Sequence, residues 1–173
     1  MMLALLAFGS LLLDSSLNPQ DMTGLQLSGD YGSLTVNEPK GWRINEAETK
    51  STHLAALFRP IKPGPYAKST AVIYINFADK KPGAAGFRSV VDNDIMRAKT
   101  RAKAVVTKLT SIELASGQRG EVYQFISPKA SEMTLYAADK KDVMLVVLSA
   151  IKKSDLLLAK PSFISLVGSI SHK

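Results

Sequence analysis

The chain offers few groups that could do chemistry. Its only imidazoles are His53 and His172, and it has no cysteine. Without cysteine there is no disulfide, thiolate metal site, thiol nucleophile or lipid-modified sulfur. Zinc needs several ligands at defined spacing, and neither H-x-x-x-H nor H-E-x-x-H occurs. Serine catalysis needs a sharply turned nucleophile with a positioned base. The G-x-S-x-G elbow is absent, so only His53 offers a base, because His172 is penultimate and expected to fray. No Walker loop or G-x-G-x-x-G fingerprint appears, and "KPGPYAKS" carries two prolines that lack the amide hydrogens of a phosphate cradle. No catalytic residue, metal ligand or cofactor site is therefore assigned.

Recognition groups are easier to find. The only tryptophan, Trp42, follows a proline-glycine turn and stands beside Arg43; Arg59 and Tyr66 lie near other strand ends or loops. Trp42, Arg43, Arg59 and Tyr66 form one candidate partner-binding patch. The simpler reading makes Trp42 a plug that closes one end of the core, its ring buried and its N–H hydrogen-bonded. The basic run Arg97, Lys99, Arg101 and Lys103 does not make a nucleic-acid stripe. At ~100° per residue, Arg97 and Arg101 fall on one side of an apolar seam and Lys99 and Lys103 on the other.

The elements that must position these groups follow from periodicity. "GSLTV" alternates as a strand fed by a loop, and Glu38 to Gly41 suit a type I turn. "THLAALFRP" reads as a strand ended by Pro60. "TAVIYINFADK" is largely apolar on both faces, which places it inside a layered structure. Residues 84–104 read as a helix whose seam is Phe87, Val91, Ile95, Ala98 and Ala102, with acids early and bases late as the helix dipole favours. Three or four antiparallel strands follow: "VVTKLTSIEL", "QRGEVYQFIS", "EMTLYAAD" and "DVMLVVLSAIK". A short turn from Asp155 and a helix from Pro161 to about Gly168 close the chain, with Phe163, Leu166, Val167 and Ile170 on its apolar face.

The 173 residues, 46% hydrophobic and 21% charged, contain no repeat or biased linker and read as one domain. "MMLALLAFGSLLL" is too short to span a bilayer and fits the core of an export signal over residues 1–16, leaving a domain over 17–173. Removing that segment deletes one charge, Asp14, and moves the balance from +7 to +8, which favours anionic partners without choosing among them.

This layout, with "YGSLTVNEPKGW", "VYQF", "LYAADKKDVMLVVLSA" and "PSFISLVGSI", resembles the PsbP-like superfamily. That superfamily includes the extrinsic PsbP protein of photosystem II, a Ran-binding nuclear transport protein, and exported bacterial proteins. The resemblance implies an α+β fold: an α/β/α sandwich around a mainly antiparallel sheet of about six strands. It also implies binding or assembly rather than catalysis. The lipid anchor of some bacterial relatives needs a cysteine this chain lacks, and neither Ran nor photosystem II carries over as a partner. The expectation is a monomeric, non-enzymatic protein, periplasmic or secreted, that contacts a protein or complex at the cell envelope. It has no cofactor and no specific nucleic acid. The alternatives are a small hydrolase-type enzyme using His53, or a binder of anionic polymer or lipid.

Overall fold

The computed structural model describes residues 24–29, 32–62, 64, 66–79, 85–139 and 142–172. The expected leader, residues 1–16, lies outside them. Among the described residues no helix is long and apolar enough to cross a membrane.

In place of the expected loop and single strand, β1 (Leu25–Gly29) and β2 (Gly32–Val36) form an antiparallel hairpin, with Leu27 opposite Leu34 and both buried. The turn that follows closes one residue later than expected. Trp42 N donates to the Pro39 carbonyl at 2.9 Å, which places Gly41 third in the turn with φ 82°, where only glycine is unstrained. β3 (Trp42–Ile44) leads into a short helix, α1 (Glu46–Ser51), over residues to which no element was assigned above. Asn45 caps α1, its Oδ1 accepting from Glu48 N at 3.1 Å. After the Thr52 cap, His53 adopts φ 55°, so it ends a helix rather than opening a strand. β4 (Ala56–Pro60) and β5 (Val72–Asp79) then pair antiparallel.

The long helix α2 (Ala85–Arg101) falls where its seam predicted, although Ala102 lies beyond its end and is exposed. Lys103 terminates it in the left-handed region, φ 52°, while Ala104 N returns to the Ala98 carbonyl at 3.0 Å. The next expected strand divides into β6 (Val105–Lys108) and β7 (Ile112–Glu113), both paired with β8 (Arg119–Ile126). β9 (Ser131–Ala138) and β10 (Asp142–Ala150) follow. The last helix, α3 (Lys153–Ser169), runs unbroken through Pro161, against the expectation of a start there. Pro161 is exposed, as is Leu157, whose carbonyl the proline leaves without an amide donor; on this side water can reach it. β11 (Ser171–His172) pairs with β2, so the backbone of His172 is strand-paired rather than frayed.

The central sheet has eight strands, more than the six expected. Their order is β3-β4-β5-β10-β9-β8-β6 with β7 also on β8, and every pairing among the described residues is antiparallel. β1, β2 and β11 make a second, three-stranded sheet. The two faces of the large sheet differ. Ile73 and Ile75 of β5, Met144, Val146 and Leu148 of β10, and Met133 and Leu135 of β9 face α3, whose Leu156, Phe163, Leu166 and Val167 complete a continuous core. Each such side chain, fully buried, contributes about 1.5–3 kcal/mol. On the opposite face, Val91 of α2 packs with Tyr123, Phe125, Tyr136 and Val143 in a smaller cluster.

Candidate functional site

The expected patch divides by strand alternation. Trp42 is 1% exposed and its ring lies 5.6 Å from that of Tyr66, tilted by 45°; Tyr66 is itself half-buried, its hydroxyl accepting from Ser162 Oγ at 3.3 Å. The indole surface is thus turned inward. Its Nε1 is buried without a hydrogen-bond partner among the described residues, a departure from the expected pairing. Arg43 and Arg59 stand directly opposite each other across β3 and β4, both exposed, and Arg59 is engaged by Glu48 at 2.8 Å.

His53 is exposed beside a groove of about 560 Å³ that Lys50, Ser28 and Asp142 also line. Among the described residues no hydrogen bond joins His53 to Ser28, Thr49 or Asp142; Thr49 Oγ1 instead accepts from Leu57 N at 2.9 Å. A relay needs base and nucleophile within hydrogen-bond reach, allowing for looser geometry without substrate. No group of three or more metal-ligating side chains occurs among the described residues.

A more structured cleft, about 430 Å³, opens between α2 and the sheet. Strand alternation sends Tyr74 and Asn76 of β5 and Glu132, Thr134 and Tyr136 of β9 to this face, while successive turns of α2 add Asp94, Arg97 and Arg101. Tyr136 donates to Asp94 Oδ2 at 3.2 Å, and Ser149 donates to Glu132 Oε1 at 3.0 Å. Burial, reinforced by the nearby charges of Glu132 and Asp94, pushes the Tyr74 phenol up to about 12. The Tyr136 phenol is also raised, by burial and then by Asp94. Burial raises the Asp94 carboxyl above its usual range, against the opposing pull of the Tyr136 hydrogen bond and the Arg97 charge. Neither Arg97 nor Arg101 comes within ion-pair distance of a carboxylate among the described residues.

α2 is anchored at its other end by Glu121 of β8, which accepts from Arg88, from Lys108 at 3.0 Å and from the Tyr123 hydroxyl at 2.9 Å. Burial opposes ionisation of Glu121, but these donors outweigh it and hold the carboxyl below its usual range.

α3 has a second unusual surface. Its inner face carries the predicted Phe163, Leu166 and Val167, all buried. Its outer face also carries Leu157 (53% exposed), Leu158 (52%) and Ile164 (42%), which with Pro161 fall within an arc of ~120° at 100° per residue. Exposed Lys153 and Lys160 lie along one flank of this ridge. The one acid of the helix, Asp155, is taken by Thr70, accepting from its N at 2.9 Å and its Oγ1 at 2.7 Å. An ordinary surface helix is polar on its outer side; this one is apolar on both.

No family model matches the chain, and no curated protein matches it in sequence. Solved structures do. Cyanobacterial PsbP (CyanoP) from Synechocystis sp. PCC 6803 superposes with a TM-score of 0.54 at 12% identity, over 93% of this chain and 99% of its own. A protein of unknown function from Pseudomonas aeruginosa, PA94, gives 0.54 at 13% identity, over 87% and 97%. The fold is PsbP-like. At 12–13% identity the likeness lies in the path of the backbone, so the side chains of the cleft and of the α3 ridge must be read from this chain alone.

Proposed function

We propose that this PsbP-like protein is an exported, non-catalytic binding or assembly protein that contacts a protein or complex at the cell envelope, and that it does so through the outer face of α3. The observation that carries this reading is the ridge of Leu157, Leu158, Pro161 and Ile164, bare to solvent and rimmed on one flank by Lys153 and Lys160. Apolar residues at the centre of a patch with charge at its edge match the anatomy of a protein interface, and large exposed apolar patches mark contact sites. The chemistry of the rim asks for a partner with an acidic border. The leader-like residues 1–13 support export.

The experiment is affinity capture from the envelope fraction of the native host, with wild-type mature protein and a Leu157→Glu/Ile164→Glu variant as parallel baits. A partner recovered by wild type at both low and moderate salt, and lost with the variant, is the expected result. Equal recovery by both baits refutes the α3 assignment. Binding that disappears steeply with salt points instead to an anionic polymer or lipid and overturns the protein-partner reading.

A further inference from the structure

The cleft under α2 lies on the opposite side of the sheet from the α3 ridge, and its chemistry is of another kind. We propose that it is a binding site for a small zwitterion in which a primary ammonium group, whose N–H bonds can be donated to carboxylates, is joined by a short linker to a phosphate. The ammonium sits over Tyr74 between Asp94 and Glu132, and the phosphate is held by Arg97 and Arg101.

Three observations carry the assignment. First, the cleft contains both signs of charge, yet its two guanidinium groups form no ion pair with its two carboxylates. Charges of opposite sign that share a cleft without pairing leave both ends open to a ligand that is itself charged at both ends. Second, each carboxylate is fixed through one oxygen, Asp94 by Tyr136 and Glu132 by Ser149, and among the described residues its other oxygen accepts no hydrogen bond. An acceptor oriented in advance loses little freedom on binding a donor. Third, Tyr74 lines the cleft beside those carboxylates, whose charges add to burial in pushing its phenol up to about 12. That combination suits an organic ammonium, which gains both cation–π and Coulomb attraction. A bare metal ion is less suited, since no cluster of three acidic or imidazole ligands is present among the described residues.

The spacing along α2 orders the two ends of the ligand. Arg97 lies ~4.5 Å and Arg101 ~10 Å along the helix axis from Asp94, at 1.5 Å per residue. The side chains of Arg97 and Arg101, one turn apart, can grip a tetrahedral oxyanion from two directions while the ammonium reaches the floor. Leu145 and Val147 supply an apolar wall for the linker. The same chemistry is found in a free solute and in a lipid headgroup, so both sources enter the test.

The test is calorimetric titration of the full chain with O-phosphoethanolamine, and separately with inorganic phosphate and with ethanolamine. Flotation with phosphatidylcholine vesicles, with and without phosphatidylethanolamine, tests the lipid source. O-phosphoethanolamine should bind at least about tenfold more tightly than either half alone, a difference of about 1.4 kcal/mol. Glu132→Gln and Arg97→Gln/Arg101→Gln should each lower that affinity about tenfold or more, with thermal stability retained. Amide NMR shifts on titration, centred on β5, β9 and α2, give a readout that needs no variant. Binding of the free compound assigns a soluble ligand, whereas binding only to phosphatidylethanolamine vesicles assigns the headgroup; either result upholds the site. The proposal is overturned if neither probe binds, if phosphate alone binds as tightly as the zwitterion, or if the glutamine variants bind like wild type. Leu157→Glu/Ile164→Glu should leave this binding unchanged, so failure here and failure of the α3 reading are separable.

Discussion

Replacing Trp42 tests how the core is sealed. The indole is fully enclosed and packed at a tilt against Tyr66, and its Nε1 has no acceptor among the described residues. Trp42→Ala removes the largest of the fully buried side chains and leaves a cavity, a change that costs about 3–5 kcal/mol. For a chain of this length each kcal/mol shifts Tm by roughly 2–4 °C, so the melt should fall by about 6–20 °C. Trp42→Phe should behave quite differently. It gives up two carbons' worth of burial, about 1.6 kcal/mol at ~0.8 kcal/mol each. It also eliminates a buried donor whose desolvation costs about 1–3 kcal/mol. The two nearly cancel, and the phenylalanine variant should melt within a few degrees of wild type. Far-ultraviolet circular dichroism is the suitable monitor, because both variants lack the only indole. A Trp42→Ala protein with unchanged Tm, or a Trp42→Phe protein as unstable as the alanine one, would refute the reasoning.

Other consequences are equally direct. A Cβ added at Gly120 would meet the buried Leu135 side chain at 2.6 Å, so Gly120→Ala should lower stability in urea by about 1–3 kcal/mol. The backbone and hydroxyl of Thr70 hold the Asp155 carboxyl below its usual range, so its stabilising contribution is present above the unfolded carboxylate value of about 3.9 and is lost as pH falls through the lower folded value. Asp155→Asn should therefore flatten the acid limb of a stability–pH curve and cost about 1 kcal/mol at neutral pH. Tyr136→Phe removes the donor to Asp94, which should cost about 0.5–1.5 kcal/mol and move the Asp94 carboxyl further up, as read by NMR titration.

Which parts of this architecture could be read from the residues depends on how local their causes are. α2 was legible because Phe87, Val91, Ile95 and Ala98 share one seam, and β5 because its two apolar faces demanded cover on both sides. α1 buries no residue and so leaves no apolar period in the sequence, although Asn45 followed by Glu48 is a capping signal. Pro161 does not begin α3, because the rule against proline inside a helix weakens where the freed carbonyl faces water. The three-stranded sheet depends on β11 meeting β2 from the other end of the chain, a pairing that no local pattern announces. The cleft was half visible. Arg97 and Arg101 were placed on one flank of α2, but their meeting with Tyr74 and Glu132 is a product of tertiary packing. The outer ridge of α3 was available in principle, since Leu157, Leu158 and Ile164 exceed what a single buried face requires.

The pairing of β5 with β10 stitches residues 72–79 to residues 142–149 through the middle of the large sheet. Until the later strand arrives, the earlier one presents a naked edge rich in isoleucine, the kind of template on which chains join one another. A fragment ending after α2 should therefore precipitate rather than persist as a half-domain. A polypeptide emerging from a ribosome or a translocation pore will depend on a chaperone until Ala150 is clear.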